Sequence, residues 1–287
     1  MTRTIVTGAK GFIGKAVSRV LRAAGHEVQE AGTSTASDPL SAESVASLGT
    51  FDLLVHCAGG SSVSASVDSP QVEFAKSVPP FTLLLDHIRK HTPHARVVLL
   101  SSAAVYGDAA ERPTPETAAI APVSPYGVHK RMCELSCNSY GNMYGVASIV
   151  LRLFSVYGAG LRKQLLWDAA QKSRRGDLAF AGTGDETRDW LHVDDAAALV
   201  LAAAPHATPE VPILNGAAGE GVTVRRVLEL LLRELGSGAP TFSGVARPGD
   251  PRHYCADVRA ARDLGWAPRV ELAKGIADYA AWFREQT

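Results

Sequence analysis

The sequence predicts an α/β protein built on a doubly wound parallel sheet, with a smaller, mostly helical C-terminal lobe. Three observations predict it. Short apolar segments rich in β-branched residues alternate with longer helical patterns through the first half. Glycines 8, 11 and 14 run from the end of the first such segment into the first turn of the first helix, and glycine and proline punctuation thickens after about Phe154. The expected strands are Thr4 to Val6, Glu27 to Glu30, Leu53 to Cys57, Val97 to Ser101 and Ser148 to Leu153. Between them fall helices near Phe12 to Ala24, Ser41 to Leu48, Gln71 to His91 and Tyr126 to Tyr144, long enough for crossovers on both faces. Helices at Lys163 to Arg175, Asp194 to Ala204, Thr223 to Leu235 and Leu272 to Glu285 follow, separated by irregular loops. The division expected is a sheet domain over residues 1–154, with later segments near 182–215 returning to it, and a substrate lobe over residues 155–287.

Composition excludes several classes of function. The chain has 287 residues, 46% of them apolar, enough to bury one large core and an appended lobe. Twenty-nine basic residues balance 29 acidic ones, so no global field attracts nucleic acid or an anionic membrane. The first residues enter a strand and a glycine turn at once, and no apolar run approaches membrane-spanning length; a cytoplasmic protein is expected. Cys57, Cys133, Cys137 and Cys255 show no CxxC pairing and no histidines at zinc-site spacing, so reduced thiols and no metal are expected.

The segment Ile5 to Gly14 spaces its glycines three apart, between a strand and an amphipathic helix. Such a turn lets the backbone approach a pyrophosphate closely, packs helix on strand, and aims the helix N-terminus at the phosphates. It is the turn of a Rossmann-type dinucleotide-binding fold, with Gly8, Gly11, Phe12, Ile13 and Gly14 against the cofactor. An acidic residue at the end of the second strand ordinarily reads the adenosine ribose, and here that position is Gly32, followed by Thr33 and Ser34. A missing carboxylate removes repulsion against a 2′-phosphate. It favours NADP(H) over NAD(H), whereas a shifted strand register would put Glu30 there and favour NAD.

Val97 to Gly107 ends a buried strand in the hydroxyls of Ser101 and Ser102. Further on, Ser124-Pro125-Tyr126-Gly127-Val128-His129-Lys130 opens a helix on which Tyr126 and Lys130, four apart, share a face. An ammonium beside a phenol eases exchange of its proton with a sugar hydroxyl or carbonyl, while a serine hydroxyl holds the same oxygen.

At these residues the chain resembles the extended branch of the short-chain dehydrogenase/reductase superfamily, the NAD-dependent epimerase/dehydratase family of nucleotide-sugar enzymes. TGAKGFIG, HCAG at His56 to Gly59, SSAAVYG, SPYGVHK, RLFSVYGAG at Arg152 to Gly160, GTGDETRDWLHVDD at Gly182 to Asp195 and RPGDPRHYCADVRAARDLGW at Arg247 to Trp266 occur in family order. The resemblance implies Tyr126 as catalytic acid/base, Lys130 as its electrostatic partner and ribose anchor, and Ser102 as the substrate-orienting hydroxyl. It implies a cofactor lining completed by Thr33, Ser34, Asp38, Ala58, Gly59, Ser101 and Phe154. Arg188 and Arg247 would grip a substrate diphosphate, for which a guanidinium fork is suited. Ser155, Lys163 and Trp167, with Arg162, lie where family members cover the nucleotide. Apolar residues of the helices at Gln71 to His91 and Tyr126 to Tyr144, such as Phe81, Leu84, Leu85 and Ile88, would either pair two copies into a homodimer or face the sheet.

Departures narrow the reaction. Family 4,6-dehydratases carry an acidic pair after the catalytic hydroxyl, where this chain has Ala103 and Ala104. The cysteine and histidine that GDP-fucose synthases add for 3,5-epimerisation are replaced by Ala103 and Gly160. Hydride transfer at one carbon of a nucleotide-diphosphate sugar, C4, remains. Gly32 favours an NDP-4-keto-6-deoxysugar reductase. The alternative is an NDP-sugar 4-epimerase with tightly bound NAD, whose blocks match closely although Ser155 replaces their usual asparagine. A non-catalytic NAD(P)-binding sensor is opposed by the intact Ser102, Tyr126 and Lys130.

Overall fold

The computed structural model describes residues 1–32, 40–60, 62–109, 112–245 and 253–286. Thr33, Ser34, Asp38 and Arg247, expected at the cofactor and the substrate, lie outside the described residues.

The chain opens with β1 (Arg3–Thr7), α1 (Phe12–Ala23), β2 (Glu27–Ala31), α2 (Ala42–Ala46), β3 (Leu53–His56), α3 (Val63–Asp68), α4 (Pro70–His91) and β4 (Arg96–Ser102). A short helical turn at Ala103–Val105 precedes α5 (Pro125–Tyr144), β5 (Ser148–Leu153), β6 (Ser155–Tyr157), α6 (Gln164–Arg174), β7 (Ala179–Phe180), β8 (Thr187–His192) and α7 (Val193–Ala203). The chain then forms β9 (Ile213–Gly216), β10 (Gly221–Thr223), α8 (Val224–Glu234), β11 (Thr241–Phe242), α9 (Arg259–Asp263) and α10 (Leu272–Arg284).

Six strands form one parallel sheet in the order β2-β1-β3-β4-β5-β9. Side chains alternate along each strand, so a continuous apolar run feeds two cores. Val98 and Leu100 join Val17 and Leu21 of α1 and Leu199 and Val200 of α7 on one face. Val97 and Leu99 join Phe81, Leu84, Leu85 and Ile88 of α4 and Cys133 and Cys137 of α5 on the other. The four α4 residues weighed for a subunit contact therefore face the sheet and are fully buried.

The strand order reverses between β1 and β3, and at such a switch point the carboxyl ends of the strands open a crevice for a ligand. Beyond β5, small sheets supplement the helices: β10-β8-β6 and the pair β11-β7. A third core of Tyr157, Leu166, Val227, Leu231, Ile276, Tyr279 and Phe283 packs α6, α8 and α10 together. All four cysteines are free, and among the described residues no helix is long and apolar enough to cross a membrane.

Candidate active site

The glycine turn sits at the switch point. Gly8 adopts φ +64°, and a Cβ there would lie 2.8 Å from the Ala58 nitrogen, so the turn and the loop after β3 touch backbone to backbone. A Cβ on Gly14 would fall onto the Gly8 carbonyl, which is why α1 can start so close beneath the turn. Gly11 caps α1 without a side-chain hydrogen bond, leaving the first N–H groups, at Phe12 and Ile13, at a half-exposed helix N-terminus. This cradle fits a dinucleotide: glycines where a side chain would intrude, and helix dipole and free N–H groups where the pyrophosphate goes.

Strand register fixes which residue stands beside the turn at the end of β2. Ala31 pairs with Thr7, and its carbonyl accepts the Gly8 N–H at 3.2 Å, so Gly32 is the residue beside the turn. Glu30 pairs with Val6 and its carboxylate is held by Arg22 at 2.8 Å on the surface, which removes the shifted register that would have offered Glu30 to the ribose.

Below the opposite wall of the crevice, His56 is buried with its Nδ1 2.8 Å from Thr7 Oγ1, and the Ala58 N–H donates to the same Thr7 hydroxyl at 3.3 Å. Burial drives the His56 imidazole down to about 3, with the Lys130 ammonium adding to the effect. Burial likewise pushes the Cys57 thiol up to about 12, against the pull of Lys130. Both side chains are therefore neutral supports of the Ala58-Gly59 backbone rather than reactive groups.

Ser102, Tyr126 and Lys130 are brought together by the start of α5. Ser124 caps the helix by accepting from the Gly127 N–H at 3.2 Å, and Pro125 stands at its first position. Gly127 lets the helix abut the turn after β4, where a Cβ would come 2.5 Å from the Ala104 carbonyl oxygen. Lys130 is buried and reaches across to donate to the Leu100 carbonyl at 2.9 Å, two residues before Ser102, with its Nζ 5.8 Å from the centre of the Tyr126 ring. The Tyr126 and Ser102 side chains are both partly open, and the Ser102 hydroxyl accepts from the Ala104 N–H at 3.2 Å. A half-open phenol and hydroxyl beside a buried ammonium can exchange a proton with a bound alcohol or ketone.

The remaining expected residues divide. Ser101 donates its hydroxyl to the buried Glu134 carboxylate at 2.6 Å, facing the fold's interior rather than a ligand. Phe154 is buried between Tyr106 and Tyr254. Ser155 begins β6 opposite Trp190. Trp167 turns into the lobe core, 5.4 Å from the Phe283 ring and 6.1 Å from that of Trp282, while the Arg162 guanidinium lies over Trp167 and Trp282 and bonds to Gln286. Lys163 is exposed and precedes Gln164, whose φ of +64° marks a strained entry to α6. Arg188 donates to the Thr187 carbonyl, its guanidinium 5.8 Å from the centre of the Tyr254 ring.

Three contributors were not foreseen. Tyr254 donates to the carbonyl of Gly107 at 3.2 Å, with that of Ala103 at 3.5 Å, linking the segment beyond residue 252 to the turn after Ser102. Asp189 is fully buried and accepts from the N–H groups of Ala218, Gly219 and Ala256, tying the same segment to β8; burial raises it to about 6 against the pull of those donors. Ser66 in α3 accepts the Tyr126 N–H at 3.1 Å. The serine-rich stretch that forms α3 carries no helical periodicity, so this support was invisible in the sequence.

This parallel sheet with a glycine turn and a tyrosine-lysine helix defines an oxidoreductase-like enzyme of the short-chain dehydrogenase/reductase type. The profile of the NAD dependent epimerase/dehydratase family matches residues 4–215, and the chain belongs to that family. It is 30% identical to a UDP-glucose 4-epimerase of Azospirillum brasilense, over 98% of this chain and 92% of that protein. It is 29% identical to a dTDP-glucose 4,6-dehydratase of Streptomyces antibioticus, over 98% and 92%. The UDP-glucose 4-epimerase of Thermus thermophilus in complex with NAD superposes with a TM-score of 0.89 at 26% identity, covering 99% of this chain and 100% of that one.

Proposed function

We propose that this enzyme is a 4-epimerase of a UDP-linked hexose, of which UDP-glucose is the first candidate, and that it retains NAD between turnovers. The observation that carries the reading is that the groups beside the Ser102 hydroxyl are methyls: Ala103 is buried, and no carboxylate of that turn stands ready to move protons at C5 and C6. That opposes the dehydratase relative's chemistry, and the epimerase relatives favour the alternative over the ketoreductase suggested by Gly32.

NAD, when bound, supplies the hydride acceptor and donor for C4. Gly8, Gly11, Phe12, Ile13, Gly14, Ala58 and Gly59 would hold it, with Lys130 on the nicotinamide ribose. The Tyr126 phenolate would take the proton from the C4 hydroxyl and, as the phenol it has become, return it to the C4 oxygen at the end of the cycle. Ser102 holds that oxygen in reach, and the buried Lys130 ammonium offsets negative charge on the phenol oxygen. Arg188, with Arg247, would bind the diphosphate, and Lys163 and Ser155 would line the nucleotide and the sugar. Without a carboxylate at Gly32, retention of the cofactor falls to the turn, the α1 N-terminus and Lys130.

Freshly purified protein, denatured and its supernatant weighed by mass spectrometry, is expected to release close to one NAD per chain. Empty protein that binds NADPH more tightly than NADH would restore the ketoreductase.

The active unit is proposed to be a homodimer. Val72 and Leu83 of α4 and Val128, Met132, Leu135 and Met143 of α5 are exposed apolar residues on two neighbouring helices. Light scattering is expected to give twice the chain mass; a monomer at micromolar concentration would rule the dimer out.

A further inference from the structure

We propose that Glu73, Ser77 and His129 form a positioning chain that locks the dinucleotide-lining loop to the catalytic helix. The inference rests on the reading that Ala58 and Gly59, the residues just before Gly60, line the dinucleotide. The Gly60 N–H donates to Ser77 Oγ at 3.0 Å, and the Ser77 hydroxyl donates to Glu73 Oε1 at 2.6 Å. The other Glu73 oxygen meets His129 Nδ1 on α5. Glu73 is 6% exposed and His129 9% exposed, and the Phe74 ring meets the imidazole edge-on.

The direction of every link is determined. A serine hydroxyl has two lone pairs and one hydrogen: at Ser77 a lone pair accepts the Gly60 N–H and the hydrogen goes to Glu73. A carboxylate oxygen accepts, which assigns His129 the tautomer with its N–H at Nδ1. Hydrogen bonds in such a buried series polarise one another, and an orphaned member is costly, which makes the chain stiff rather than merely close-packed.

Its two ends are what matter for the chemistry. At one end the loop is seated on the chain: a Cβ on Gly59 would come 3.1 Å from Ser77 Oγ, and one on Gly60 would collide with the Glu73 carboxylate. At the other end His129 stands one helical turn after Tyr126 and immediately before Lys130. Fixing the imidazole fixes the rotation of α5 about its axis, and with it the direction of the phenol and the ammonium. The chain thus sets the spacing between the backbone of the loop and the proton-transfer groups. These three are positioning residues, since none of them touches the reacting atoms.

The test compares Ser77→Ala, Glu73→Gln and Glu73→Leu with the full-length protein, measuring NAD dissociation, kcat, KM for UDP-glucose and Tm. Ser77→Ala is expected to raise the NAD dissociation constant about fivefold or more, as the loss of one hydrogen bond would. It should also lower kcat and, by orphaning the Glu73 oxygen and the Gly60 N–H, lower Tm by a few degrees, with KM for UDP-glucose almost unchanged. Glu73→Gln keeps an oxygen for Ser77 and an N–H for the imidazole in its other tautomer, so it is expected to stay within about twofold of wild type. Glu73→Leu breaks both links and is expected to be the weakest binder. If Glu73→Leu does not fold, Ser77→Ala and Glu73→Gln decide. Wild-type NAD affinity and kcat in Ser77→Ala, or a Glu73→Gln impaired as deeply as Ser77→Ala, would overturn the chain. Wild-type protein that binds no dinucleotide would instead overturn the reading on which it rests.

Discussion

Tyr126→Phe is expected to lower kcat by about a hundred- to ten-thousandfold, the range over which a positioned acid/base contributes, while NAD retention and KM for the nucleotide sugar change little. The substitution removes only the phenol oxygen. The ring remains at the mouth of the crevice, the Tyr126 N–H still donates to Ser66, and Lys130 still reaches the Leu100 carbonyl. Binding and fold therefore persist while the route for the C4 hydroxyl proton is lost. Steady-state kinetics check it. A variant within about threefold of wild type would place the proton transfer elsewhere, and one that left the protein's cellular role intact would revive the sensor reading.

Glu134→Leu is expected to cost about 3–5 kcal/mol of stability, the penalty for stranding one member of a buried ion pair. Glu134 and Arg152 are each 1% exposed and joined by two bonds of 3.0 Å, from Arg152 Nε to one carboxylate oxygen and from Nη2 to the other. The remaining acceptors of Arg152 are the Tyr106 hydroxyl and the Glu116 carbonyl, both neutral. With leucine at 134 the guanidinium stays buried beneath β4 and the Ser101 hydroxyl loses its acceptor as well. Glu134→Gln, which keeps an acceptor oxygen but no charge, is expected to lose less. Urea denaturation at fixed protein concentration measures both, and a loss below about 1 kcal/mol for Glu134→Leu would show that the network is not what holds β5 to α5.

Local chemistry was legible in the sequence wherever the signal lay within one element. The glycine turn, the Ser102 strand end and the Tyr126 and Lys130 spacing are each written in a few consecutive residues, and β3, β4 and β5 at the centre of the sheet are largely apolar runs. What the sequence hid are meetings across long separations. Glu73 finds His129 and Tyr254 finds Ala103 only because the sheet order brings their elements together, and nothing in either segment announces the partner. Phe81, Leu84, Leu85 and Ile88 could be assigned to an apolar face of α4 but not to a neighbour, and the sheet took them. β8 was missed because TRDWLH mixes a buried aspartate and an arginine into a strand, and β6 and β10 are only three residues long. Trp167, expected at the nucleotide, packs against α10 instead.

The central claim, that one carbon of the sugar loses a hydride and regains it within a single enzyme-bound cycle, is tested most directly with UDP-glucose carrying deuterium at C4. Proton and deuterium NMR would follow the reaction with purified protein and no added dinucleotide. The account predicts UDP-galactose that retains the deuterium at C4. UDP-galactose lacking the label, or no UDP-galactose at all, would contradict it.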